Sequence, residues 1–88
     1  MKFNSSNSVD DDYFQSKDHY VVVNEESKTI CLQEFLVRWG PGDDYRTLMD
    51  DEFSVTEFAG RKDLQDLVRT WFGETTLAAI NDKIAEIS

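Results

Sequence analysis

Apolar residues between Asp63 and Phe72 recur with the period of a helix. Leu64, Leu67, Val68, Trp71 and Phe72 fall at i, i+3, i+4, i+7 and i+8, one side of a helix starting at Arg61 or Lys62. Gly73 follows at once and suits the position past a helix end, where the backbone turns left-handed. A second helix is expected from about Thr76 to Ile87, with Leu77, Ile80, Ile84 and Ile87 on one face and Thr75 or Thr76 as its cap. The joint Gly73-Glu74-Thr75 is short, so the two helices should form a helical hairpin.

Before Gly60 the pattern changes to that of strands. Tyr20-Val21-Val22-Val23 gives His19 to Asn24 a strand reading, with apolar residues on both parities. Asn24 to Lys28 is turn-like. Thr29 to Trp39 fits two elements. As a strand, Ile30 and Leu32 share one face and Phe35, Val37 and Trp39 the other, with a bulge needed near Gln33-Glu34. As a helix, Leu32, Phe35, Leu36 and Trp39 align, and Gly40-Pro41 stops it. The β-branched Thr29, Ile30 and Val37 tilt the choice to strand. Gly40 to Asp44 is a turn. Tyr45 to Met49 reads as a return strand, with Tyr45, Thr47 and Met49 on one face. Asp50-Asp51-Glu52 should break it, and Phe53 to Phe58 reads as a last strand.

Residues 1–12, rich in Asn, Ser and Asp, read as a flexible lead-in, and 13–88 as a single domain. Strands first and helices last indicate α+β: an antiparallel meander of three to four strands, with two C-terminal helices packed on one face. The 88 residues allow one modest core.

Charge adds the main functional clue. Asp and Glu number 18 against 9 Lys and Arg, a net −9. Residues 1–60 carry 13 acids and 5 bases, so the acid lies on what the first 60 residues build. Such a field repels nucleic acid and anionic lipid and attracts basic surfaces. It also keeps a small protein soluble, which is the plainer explanation. The N-terminus has no apolar h-region and no apolar run is long enough to span a membrane, so a cytoplasmic protein is expected.

Catalytic chemistry finds little footing. One histidine and one cysteine, His19 and Cys31, cannot complete a zinc site. The carboxylates lack the spacing of a calcium loop. Across a hairpin His19 and Cys31 could face each other as a nucleophilic pair, although a packed thiol is the more ordinary reading. The bases are too few and scattered for a nucleic-acid interface. No cofactor, no metal and no enzymatic activity are expected.

What remains is the segment 43–57, with six acids against Arg46 alone and a net charge of −5. Asp43, Asp44, Asp50, Asp51 and Glu52 would supply charge to a basic protein partner, with Tyr45 and Met49 as buried anchors. A carboxylate array can also compete for a site that holds phosphates, as a nucleic-acid mimic does. The other reading of the segment is a solvated acidic loop.

The Met1-Lys2-Phe3 start, the antiparallel meander, the Leu-rich helix ending in Trp71-Phe72 and the closing Ile84-Ala85-Glu86-Ile87-Ser88 resemble small phage-encoded inhibitors of the type I anti-CRISPR kind. The resemblance covers mainly residues 58–88, rests on core positions and assigns no functional residue. The acidic stretch departs from it. Toxin-immunity proteins are similar in size and acidity. These resemblances imply a stoichiometric inhibitor of a nucleic-acid-handling or nuclease complex. The expectation is therefore a non-enzymatic acidic binder that masks a basic, nucleic-acid-handling protein. The alternative is a small structural or regulatory module acting as a homo-oligomer, with acidity serving solubility only.

Overall fold

Val21, Val23, Ile30 and Leu32 alternate with polar or half-exposed neighbours and are at most 1% exposed. They set the inner face of an antiparallel sheet. A computed structural model describes residues 2–8, 15–38 and 44–88. In it the strands β1 (Lys2–Ser8), β2 (Gln15–Asn24), β3 (Thr29–Arg38) and β4 (Asp44–Ser54) are followed by helices α1 (Val55–Gly60), α2 (Lys62–Phe72) and α3 (Glu74–Ile87). The strands lie in the order β1-β2-β3-β4. This is the α+β arrangement that the pattern indicated, with an additional strand at the start and an additional helix in the middle.

The β2–β3 hairpin turns on Asn24, whose side-chain oxygen accepts from the backbone N–H of Glu26 at 3.0 Å and Ser27 at 3.2 Å. Lys28 closes the turn with φ 55°. Thr29 to Arg38 is strand and not helix, and Ile30 and Leu32 do face away from Phe35 and Val37. The bulge sits between Glu34 and Phe35, but its extra residue is Leu48 on β4, while β3 runs straight against β2. Phe35 and Val37 therefore need no parity change. They stay on the face that the helices do not cover. Trp39 and residues 40–43 of the expected turn lie outside the described residues.

Three expectations are corrected. Residues 2–8 of the expected lead-in form β1, because Phe3 and its neighbours pair in register with Val21 and the adjoining part of β2. The acids Asp50-Asp51-Glu52 do not break β4, which runs unbroken from Asp44 to Ser54. An edge strand tolerates consecutive charges because its side chains reach water on both faces. Phe53 to Phe58 is not one strand: β4 ends at Ser54 and α1 begins at Val55. The cause is a cap. Ser54 has extended backbone, and its side chain accepts from the Glu57 N–H at 3.1 Å. Ser54-Val55-Thr56-Glu57 has the sequence of a capping box. We expect Ser54→Ala to cost about 1 kcal/mol in denaturant unfolding.

The first helix read from the sequence is α2. Its neighbour α3 starts at Glu74, ahead of the expected Thr76, and uses Gly73 in place of a threonine cap. Gly73 (φ 92°, ψ 171°) ends α2 and opens α3 together. That backbone region is open essentially to glycine alone, so one residue makes the whole joint. Gln65 and Asn81 exchange amide hydrogen bonds of 3.0 and 2.7 Å between α2 and α3. Gln65 also donates to the Phe58 carbonyl at 3.2 Å, which ties in α1.

The core comprises the four inner strand residues with Val55, Phe58, Leu64, Val68, Trp71, Leu77, Ile80 and Ile84. It occupies only part of the sheet. Buried sheet side chains on the helix-bearing face reach as far as His19, after which Lys17, Leu36 and Arg46 are half-buried or exposed. The sheet overhangs its helices, and the molecule extends 46 × 23 × 20 Å.

Candidate functional site

The acidic residues belong to β4, at one edge of the sheet, and strand geometry decides which way each points. Successive side chains alternate between faces. Opposite Cys31 and Gln33, Glu52 and Asp50 lie on the open face. Opposite Leu32, Asp51 lies on the helix-bearing face. Leu48 interrupts the alternation. Tyr45 and Thr47, opposite Val37 and Phe35, are on the open face, while Met49 falls opposite Glu34 on the helix side. There Met49 is partly buried against the core. It is a packing residue of the domain, and the shared face expected for Tyr45, Thr47 and Met49 is lost to the bulge.

Of the charge-bearing residues picked from the sequence, Asp50 and Glu52 come together on the open face, with Asp51 behind them. Asp44 begins the same strand. Asp43 lies outside the described residues. Asp50 accepts from Gln33 Nε2 at 3.1 Å and from Cys31 Sγ at 3.6 Å, and Glu52 accepts from Thr29 Oγ1 at 3.4 Å. These bonds lean both carboxylates over β3.

Beside them runs an aromatic row that the sequence reading did not assemble. Phe35 stacks on Tyr45 with centroids 5.0 Å apart and meets Tyr20 edge-on at 5.6 Å. Lys2 Nζ lies 5.0 Å from the Tyr20 ring centre. Tyr45 is 61% exposed. The three rings come from three strands as diagonal cross-strand neighbours. Only the register reveals this, although the placement of Phe35 away from Ile30 and Leu32 was the available hint.

Cys31 and His19 are on opposite sides of the sheet. Cys31 pairs with Val22 and faces the open side, and His19 pairs with Glu34 and faces the helices. The nucleophilic pair is excluded by the register. His19 is 5% exposed, with its Nε2 2.9 Å from Glu34 Oε2 and its ring stacked on Trp71 at 4.6 Å. Its Nδ1 has no hydrogen-bond partner among the described residues. It is a wedge between sheet and helix α2.

Burial pushes the Cys31 thiol above its ordinary pKa, and the hydrogen bond to Asp50 and the charges of Asp50, Glu52 and Asp51 push it the same way. A raised pKa means less thiolate at neutral pH, so alkylation of Cys31 should be slower than that of an unstructured thiol. Asp50→Asn removes the hydrogen-bonded charge and should speed labelling. An unchanged labelling rate would contradict the contact.

Among the described residues no three His, Cys, Asp or Glu side chains gather as a metal site would require, and no helix is long and apolar enough to cross a membrane. The arrangement offers carboxylates with one base, Arg46, on an exposed edge strand, beside an aromatic row in which Tyr20 and Phe35 are half-buried and Tyr45 is exposed. Carboxylates and rings so placed are chemically able to pair with cations and to stack on flat groups. Comparison with protein-family models, with curated proteins and with solved structures finds no match.

Proposed function

We propose that this chain is a non-enzymatic acidic binding protein that masks a basic surface of a nucleic-acid-handling protein in the cytoplasm. It acts as a stoichiometric inhibitor in the manner of anti-CRISPR or immunity proteins. One observation carries the reading: β4 puts Asp44, Asp50, Asp51 and Glu52 on a single edge strand with Arg46 as its only base. Carboxylates at two-residue spacing on one face repeat at about 7 Å. A basic groove that accepts phosphates meets in Asp50 and Glu52 two negative charges at that spacing, with Asp51 on the opposite face. Tyr45 and Phe35 add a flat apolar area on which an arginine guanidinium can stack.

The test is affinity capture from nuclease-treated bacterial lysate at low and high salt. A nucleic-acid-handling protein held without nucleic acid and released by salt is the expected result. Partners held equally at both salts would oppose an electrostatic interface.

The aromatic row Tyr20–Phe35–Tyr45, exposed chiefly at Tyr45, favours a second reading, a module that works through self-association. Sedimentation separates the two, since a strict monomer at high concentration removes the self-association reading.

A further inference from the structure

We propose that β4 is a docking edge that accepts, as a fifth strand, an extended partner segment carrying consecutive Lys or Arg residues. The inference rests on the acidic-binder reading and names its mode of recognition.

Among the described strands β4 pairs with β3 alone, so one side of its backbone is open. Which groups face out follows from a single bond. Val55 N–H donates to Lys28 O at 3.0 Å, and this pair continues the register Thr29↔Ser54 and Ile30↔Phe53. Hydrogen-bonded pairs alternate along an antiparallel ladder. Phe53 and Asp51 therefore turn their backbone groups towards β3, and Asp50, Glu52 and Ser54 turn theirs outward. The side-chain bond from Gln33 to Asp50 agrees, because side chains approach more closely at the pairs that are not hydrogen-bonded. Beyond Leu48 the bulge shifts the register, so 49–54 is the straight part of the edge.

An open edge is a template for another strand, and charge selects which strand it takes. Asp50 and Glu52 are on one face and Asp51 on the other. A partner lying only on the open face would meet the first two. A strand added at the edge would place one residue opposite each of the three, and cross-strand neighbours of opposite charge stabilise the pair. Three consecutive carboxylates thus call for consecutive cations. A second copy of β4 would set acid against acid. The only adjacent basic residues of this chain, Arg61-Lys62, lie at the start of α2. The occupant is therefore a segment of another protein.

The test uses the full chain and a short end-blocked synthetic peptide with Lys-Lys-Lys at its centre, flanked by Thr and Val. A second peptide of the same sequence carries backbone N-methyl groups at alternate positions, which keep the charge and remove the strand donors. Binding is followed by heteronuclear NMR and amide exchange at low salt. The expected result is protection of the Asp50, Glu52 and Ser54 amides by the first peptide, with much weaker binding of the N-methylated one. Asp50→Asn, Asp51→Asn and Glu52→Gln should each weaken binding by about two- to five-fold. These side chains are exposed, so the variants keep the fold. Equal binding of both peptides overturns the edge addition and leaves the acidic-binder reading standing. So does a silent Asp51→Asn beside effects at Asp50 and Glu52. Absence of binding by either peptide overturns both.

Discussion

A Phe58→Ala variant loses about 3–5 kcal/mol of folding stability. Phe58 is 0% exposed and the largest of the fully buried side chains. It projects from α1, the short helix that packs against β3, β4, α2 and α3 together. Its own carbonyl accepts from Gln65, which also holds Asn81, so the backbone around it is fixed by α2 and α3. A cavity opened there borders several elements, and none can close it without pulling away from another. A domain of this length has stability on the order of 5–10 kcal/mol. The variant should therefore unfold at a temperature lower by more than about 12 °C, or fail to fold at all. Denaturant titration of wild type and variant measures the difference. A loss below about 1 kcal/mol would mean that Phe58 is not where the core converges.

The second large effect falls on binding. Reversing Asp50, Asp51 and Glu52 together to Lys should weaken the complex with the basic partner by about a hundred-fold or more. Each reversal removes an attraction and creates a repulsion, and like charges brought together at an interface cost several kcal/mol. The net charge rises from −9 to −3, because each change adds two units. Association should slow as well, since the field that steers the partner weakens. Folding should survive, because all three side chains are exposed and the bonds from Asp50 to Gln33 and Cys31 lie at the surface. Circular dichroism and an unfolding curve establish that the reversed chain is intact. Unchanged affinity in an intact variant would remove β4 from the interface.

How far the sequence could be read depends on what each residue reports. The helix at Leu64–Phe72 was legible because five apolar side chains repeat with one period, and all face the core or pack against it. The inner face of the sheet was legible from Val21, Val23, Ile30 and Leu32 for the same reason. Where burial is one-sided and partial, the pattern thins. Tyr45 to Met49 alternates in sequence, yet Leu48 bulges out, and nothing local shows that β3 pairs past it. The consecutive acids of β4 looked like a loop, because propensity disfavours them in strands and an edge position relaxes that preference. The Ser54–Glu57 capping pattern is present in the sequence, but the strand reading of Phe53 to Phe58, drawn from the alternation of Phe53 and Val55, did not take it into account. The aromatic row depended on register among three strands, which no single segment encodes.

Under the proposed function, the acidic edge competes for a site that otherwise holds nucleic acid. The most direct test takes the partner recovered by affinity capture, loads it with labelled nucleic acid and titrates in the wild-type chain while following fluorescence anisotropy. Displacement should be complete near one equivalent, weaken with salt and be absent with the reversed variant. A ternary complex, in which the partner holds nucleic acid and this chain together with undiminished affinity for each, would contradict it.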